Sequence, residues 1–208
     1  MLPALNEIAC TQAKLTEYTK EECQQIMDYA ATYPNVYVRF YASDMVLHID
    51  SDAAYLVMPN AKSCIAGYFQ LNNHPQRIAH PEVNGAILVI CKALKHVVSS
   101  AAESETAGVF FNAQKAISIR YTLEQLGHQQ PATPIKTDNS TTKGFVHNNI
   151  HQNRLKSWDM RYHWLRDRQT KKEFNIYWDK GSNNHADYFT KHHPTKYHLE
   201  IRSKQRYV

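Results

Sequence analysis

The sequence has little that would tie it to a membrane, a disulfide scaffold or a repeat array. No apolar run approaches the ~18–20 residues that a membrane span requires. The opening MLPALNEIACTQAK lacks the charged-then-apolar layout of a signal peptide. Cysteine is scarce: Cys10, Cys23, Cys64 and Cys91 are scattered, with no CxxC pair. That argues against a disulfide framework or a zinc knuckle and for reduced thiols inside a cell. There is no internal repeat and no low-complexity tract.

What is present suits one ordinary domain with an appended arm. The chain has 208 residues, 43 % hydrophobic and 11 % aromatic, enough to build a core. The formal net charge of +5 is compatible with a polyanionic partner, and its distribution says more than its sum.

Hydrophobic spacing predicts a helix over 16–31 with Thr16 as its N-cap, and extended segments over 36–40 and 45–52. Counting from the second of these, a second strand covers 64–71 and a third, apolar enough to be central, 85–92. The stretch 72–85 between them is polar and long for a hairpin. Ser99 and Ser100 can cap a long helix that Gly127 stops. A short strand over 135–138 follows, then helices over 140–148 and 153–172, a fifth strand over 173–178 and a last helix over 185–191. The tail beyond His193 is basic and aromatic, without an assignment. The order predicts an α/β domain with an antiparallel meander of three strands, joined by strands four and five through helical crossovers.

Acids stand at the ends of these elements: Asp52 after strand one, Glu103 and Glu105 at the start of the long helix, Asp138 after strand four, Asp187 in the last helix. In open α/β sheets, sites gather at the C-terminal ends of strands. Carboxylates converging there repel unless a cation neutralises them, and hard divalent ions with oxygen ligands do so. Strand alternation puts Asp50 on the same face as Asp52. Glu103 and Glu105, two apart on a helix, point to nearly opposite sides, so only one can face a metal. Taken singly, each acid has a plainer reading as a turn, cap or helix-dipole residue. The Asp-x-Asp of 50–52 also occurs in glycosyltransferases, with nothing else here to support a nucleotide-sugar site.

Together, SDAAY, SSAAESE, KTDNS and NNHADYFTK resemble the ribonuclease H domain that ends the polyprotein of copia-type retrotransposons. The likeness spans residues 46–191 and carries four motifs in order. It implies a ribonuclease H-like fold over 45–193, preceded by a helical connection over 1–44 like that following a polymerase domain and followed by a basic tail over 194–208. It implies hydrolysis of the RNA strand of an RNA–DNA hybrid, leaving a 3′ hydroxyl and a 5′ phosphate. Asp52, Glu105, Asp138 and Asp187 would be the catalytic ligands of two Mg²⁺ or Mn²⁺ ions. The implied partners are the hybrid and the polymerase domain of the same polyprotein, with no membrane and no small-molecule cofactor. The implied location is the retrotransposon particle in the cytoplasm, or the nucleus. The polymerase's own Tyr-x-Asp-Asp motif is absent, so the chain reads as a fragment or a degraded copy. Cellular relatives carry a histidine-bearing loop before the last acid; here only 180–185 is available, with His185 the candidate. Ala54 stands where Ser is common.

Substrate grip falls to the helix over 153–172, with Arg154, Lys156, Arg161, Arg166, Arg168, Lys171 and Lys172 against Asp159 and Asp167. Trp158, Tyr162 and Leu165 at helical spacing read as core, and the arginines also fit a plain solvated face. Asn139 is a candidate for contacting 2′ hydroxyls. His147 and His151 are four apart, as zinc ligands are, but lack a third partner and read as a polar surface turn. Two other functions fit the same fold: a non-catalytic nucleic-acid-binding relic, and a DNA-cutting integrase or transposase.

Overall fold

The computed structural model describes residues 2–74, 83–146 and 156–204. Strands β1 (Val46–Met58), β2 (Lys62–Asn72), β3 (Ala86–Ala93), β4 (Thr133–Thr137) and β5 (Phe174–Trp178) form one sheet in the order β3-β2-β1-β4-β5. The pairs β1–β2 and β2–β3 are antiparallel, whereas β1–β4 and β4–β5 are parallel. This is the five-stranded mixed sheet expected of a ribonuclease H-like fold, with the three antiparallel strands first. Parallel neighbours need a crossover, and α3 (Ala101–Gln125) supplies it between β3 and β4.

Helix α3 begins and ends where local chemistry dictates. Ser100 is extended (φ −157°, ψ 162°) and its hydroxyl accepts the Glu103 N–H at 3.1 Å. The Glu103 carboxylate reaches back to the Ser99 N–H (2.7 Å) and hydroxyl (2.8 Å), so one orphan N–H of the first turn and the donors just before the cap are satisfied. At the other end Gly127 takes φ +90°, and the N–H groups of Gly127 and His128 return to the carbonyls of Glu124 and Leu123.

The sheet is covered on both faces, which is why seven successive residues from Val46 to Asp52 are buried. On one face Leu47 and Ile49 join Phe69, Ile135, Phe174 and Ile176 against Val109, Ala113 and Ala116 of α3 and Leu165 of α5 (Lys156–Thr170). Full burial of each large aliphatic side chain stabilises by about 1.5–3 kcal/mol. Asn112 of α3 reaches into the sheet between Ser51 Oγ and the Ala66 carbonyl, and only a glycine at 67 leaves it room: a Cβ there would stand 2.4 Å from Asn112 Oδ1. The opposite face of β1 is polar, with His48, Asp50 and Asp52 buried. There Tyr68 and Ala66 of β2 pack with Ala186 and Phe189 from the segment after β5.

Some elements differ from the sequence expectation. β1 does not stop at Asp52 but continues to Met58 in its hairpin with β2, because only its parallel ladder with β4 ends at this level. The extended segment over 36–40 forms no strand, only an isolated bridge at Val38. The last helix over 185–191 is absent. One 3-10 turn, Asp187–Phe189, stands there, with another, Gly181–Asn183, just before it, and the stretch is too short for an α-helical ladder once Asn184 is drawn to the sheet. The tail contains α6 (Thr195–Lys204), and α1 (Leu2–Thr11) precedes the expected helix, which is α2 (Glu17–Thr32) with Thr16 capping Thr19 N–H at 3.2 Å. Residue 154 and the pair His147 and His151 lie outside the described residues, as do 75–82 of the loop before β3.

Candidate metal centre

The parallel register builds the centre. Asp50 pairs with Lys136 across β1 and β4. Two residues further on, past the end of that ladder, Asp52 and Asp138 come side by side. The second turn of α3 adds Glu105. One carboxylate oxygen from each of Asp52, Glu105 and Asp138 lies within 4.8 Å of the others. Asp52 and Glu105 are buried and Asp138 is half-buried.

Each of the three is held above the ordinary carboxylate range. Burial pushes Asp52 up to about 6; Asp187 and Asp138 add to this, while a hydrogen bond from Thr190 opposes it. Burial also drives Glu105 well up, reinforced by the charges of Asp52 and Asp138 and opposed by the Ala53 N–H. Asp138 rises through burial and then the charge of Asp187. Glu105 Oε2 is buried with no hydrogen-bond partner among the described residues. Three acids crowded out of water with one oxygen orphaned fit a divalent cation with oxygen ligands, and among the described residues no nitrogen or sulfur ligand joins the group.

The fourth predicted acid stands apart from this trio. Asp187 begins the second 3-10 turn, and its carboxylate takes an ion pair from Lys191, one turn on. Burial works to lower Lys191, but the hydrogen bond and charge of Asp187 and the charges of Asp52 and Asp138 outweigh it, and its pKa rises.

The neighbouring acids are occupied elsewhere. Asp50 pairs with the Lys136 ammonium at 3.2 Å and accepts the His185 N–H at 3.0 Å. Glu103 is spent on the helix cap. The structure thus separates Asp50 from Asp52 and Glu103 from Glu105 by what each carboxylate touches.

Several residues around the trio had no place in the sequence reading of the site. Thr190 donates to Asp52 Oδ2 at 2.5 Å. Asn184 anchors the segment by donating to the Ser51 carbonyl at 2.9 Å and accepting the Ala186 N–H. The signal for Thr190 and Lys191 was their position as the Thr-Lys of the fourth motif. Gly181 leaves space for Asp138, since a Cβ there would meet Asp138 Oδ2 at 2.9 Å.

The nucleic-acid candidates fare variously. Asn139 Oδ1 accepts the Thr142 N–H at 3.0 Å and so caps α4 (Ser140–Val146). Arg161 donates to His96 Nε2 at 2.8 Å and packs over the Phe110 ring. The His185 ring lies tilted against Tyr68, 5.7 Å between centroids. Lys156 opens α5. A basic group that the sequence reading did not single out lies nearer β3. Burial, then Lys115 and Lys95, lower the Lys92 ammonium, which sits 4.5 Å over the Phe111 ring centre. Among the described residues none of these three lysines has an acidic partner within salt-bridge distance.

No protein-family model matches the chain, and no curated protein matches it. Among solved structures, ribonuclease H domains do. The N-terminal ribonuclease H domain of Rv2228c from Mycobacterium tuberculosis, solved as a fusion with maltose binding protein, is 10 % identical; 70 % of this chain and 91 % of that one are covered, with a TM-score of 0.47. The LC11 ribonuclease H1, in complex with an RNA/DNA hybrid, is 6 % identical over 69 % of this chain and 92 % of that one, with a TM-score of 0.48. The ribonuclease H domain of the foamy virus PFV is 15 % identical over 77 % and 88 %, with a TM-score of 0.41. At such identities the chemistry of the centre has to rest on its own side chains.

Proposed function

We propose that the chain is a divalent-metal-dependent nuclease that hydrolyses the RNA strand of RNA–DNA hybrids. The observation that carries this reading is the meeting of Asp52, Glu105 and Asp138 within 4.8 Å, with Glu105 Oε2 left without a partner. These three residues would hold Mg²⁺, or Mn²⁺ in its place. When bound, the ion supplies Lewis-acid charge to the phosphate and the attacking water. The chain's own part is to fix the ligands. Thr190 holds Asp52 by its hydroxyl, the Ala53 N–H steadies Glu105, and Lys136 keeps Asp50 away from the ion. Hydrolysis breaks the bond from phosphorus to the 3′ oxygen and leaves a 3′ hydroxyl and a 5′ phosphate.

The lysines 92, 95 and 115 offer unneutralised charge for the phosphates of the hybrid. The four motifs are the ground for placing the chain in a copia-type retrotransposon, where the polymerase domain of the same polyprotein would help to hold the hybrid.

The test is cleavage of end-labelled RNA–DNA hybrid beside duplex RNA and duplex DNA, with Mg²⁺ or with EDTA. Hybrid alone should be cut, only with metal, and neither Asp52→Asn nor Asp138→Asn should cut it. Cleavage that survives EDTA or either substitution sinks the proposal, and cutting of duplex DNA in preference to hybrid turns it toward an integrase-like enzyme.

A further inference from the structure

We infer that Lys191 occupies the second cation position of this centre, so that the chain binds one divalent ion tightly and a second only by displacing that ammonium from Asp187. The inference rests on the metal-dependent reading above and deepens it.

Two arrangements meet here. The ligand oxygens that converge come from Asp52, Glu105 and Asp138, and Asp187 is not among them. Asp187 instead spends its carboxylate on Lys191, its own neighbour four residues on. The spacing is fixed by the 3-10 turn Asp187–Phe189 and by Thr190, whose hydroxyl is bound both to the Asp187 carbonyl and to Asp52. The ammonium is therefore built into the same short segment that closes over the centre, and its charge acts on Asp52, Glu105 and Asp138 as well as on Asp187.

Charge balance then decides the occupancy. Four carboxylates face one ammonium. One divalent ion leaves the group with a single negative charge, which an approaching phosphate tolerates. A second divalent ion would make it net positive, with an ammonium against the ion, and would have to displace Lys191 from Asp187. Like charges at contact in a half-buried place repel strongly. Lys191 is half-exposed, with 52 % of its side chain accessible, so the displaced ammonium has somewhere to go and the second ion is weakened rather than forbidden. A fixed ammonium beside the ion also gives the scissile phosphate charge compensation that needs no dissolved metal.

Counting bound Mn²⁺ tests this directly, by the loss of the free-ion electron paramagnetic resonance signal on titration into the full chain at neutral pH. The wild type should take one Mn²⁺ per chain tightly. Lys191→Met keeps the stem and removes the charge; it should take two, the second at least tenfold tighter than in the wild type. Lys191→Met combined with Asp187→Asn should return to one. Far-ultraviolet circular dichroism and thermal melts check that the variants fold. Two tight ions in the wild type, or a single ion in Lys191→Met, overturn the inference. A wild type that binds no ion overturns this inference and the metal-dependent reading together. If the counts come out as expected while hybrid stays intact, the cation assignment stands and the nuclease reading falls.

Discussion

Thr190 donates its hydroxyl to Asp52 Oδ2 at 2.5 Å, although the two lie 138 residues apart. The bond joins the segment after β5 to the middle of the sheet, and it favours the charged form of a carboxylate that burial holds near 6. Thr190→Val keeps the shape and deletes the donor. Asp52 should then titrate higher still and be more often protonated at pH 6.5. Mn²⁺ affinity at that pH should fall about twofold, and close to fivefold at pH 5, where the full roughly 1 kcal/mol of one hydrogen bond is felt. At pH 8, with Asp52 ionised in both proteins, most of the loss should vanish. An equal loss at all three pH values would mean that Thr190 acts through packing and not through the charge of Asp52.

Asp52 also sets a pH signature in the metal-free protein. Its folded value of about 6 lies above the ordinary 3.8, so the folded chain binds the proton more tightly, and stability falls as pH rises through that window. The loss amounts to roughly 3 kcal/mol. His48 works the other way. Burial lowers it to about 4 from 6.5, so its contribution is lost as pH falls through nearly the same window. In the wild type the two slopes oppose each other. Asp52→Asn removes one of them and should gain stability over the wild type as pH rises from 4 to 7. Urea melts in EDTA at pH 4, 5.5 and 7 read the difference, and a gap that stays constant with pH would refute the assignment.

Asp50, two residues earlier on the same face, should behave in the opposite sense. Its ion pair with Lys136 is shielded, with 4 % of the Asp50 side chain and 12 % of the Lys136 side chain accessible. Removing one partner of such a pair leaves the other charge stranded, at a cost of about 3 kcal/mol. Asp50→Asn should lower the midpoint of urea unfolding in EDTA, where Asp52→Asn at pH 7 raises it. Asp50→Asn should still bind Mn²⁺, while Asp52→Asn should not.

How far the sequence reveals this site can be traced residue by residue. Periodicity and caps find β1 to β5 and α3 because those signals are local: Ser100, Gly127 and alternating apolar residues act within a few positions of themselves. The contrast between Asp50 and Asp52 is not local. Both share a face and both are buried; the motif SDAAY singles out Asp52, but the physical reason Asp50 is excluded lies in the partner strand, which brings Lys136 opposite it. The expected helix over 185–191 fails for a related reason. Asn184 and Thr190 are claimed by Ser51 and Asp52 of β1, and a segment tied to the sheet at both ends has no freedom to wind into α-helix. The lysines at 92, 95 and 115 escape notice because they come from three separate places in the chain, whereas the basic helix over 153–172 advertises its charge in a single run.

Glu103 and Glu105 offer a test within one helix turn. Glu103 serves the N-terminus of α3 by accepting from Ser99, and Glu105 joins the carboxylate trio with Asp52 and Asp138. Glu103→Gln should cost about 1 kcal/mol of stability, the usual range for a helix cap, with Mn²⁺ binding unchanged. Glu105→Gln should abolish tight Mn²⁺ binding and, in EDTA, leave stability equal or higher, because it removes a charge that burial opposes. Paired thermal melts with and without Mn²⁺ show the division: the metal-induced rise should persist in the first variant and disappear in the second. A reversal of the two results would move the metal site to the other face of the helix.

The lysine group makes a claim about substrate grip that does not depend on catalysis. Lys92 rises from β3, Lys115 from α3, and Lys95 from the link between them. Burial first, and then the charges of Lys115 and Lys95, lower the Lys92 ammonium, and a polyanion across the three would offset the repulsive part. Each phosphate neutralised releases counterions and adds about 0.7–0.9 to the slope of log affinity against log salt. Replacing all three by Gln should therefore weaken binding of an RNA–DNA hybrid in Ca²⁺ and make that slope shallower by roughly 2–3. Arg161→Gln should change the slope little, since its guanidinium is already engaged with His96 and Phe110. Fluorescence anisotropy with a labelled hybrid across a salt series measures both. If the Arg161 variant flattens the slope and the lysine variant does not, the phosphates run along α5 instead, where the linear density of charge first pointed.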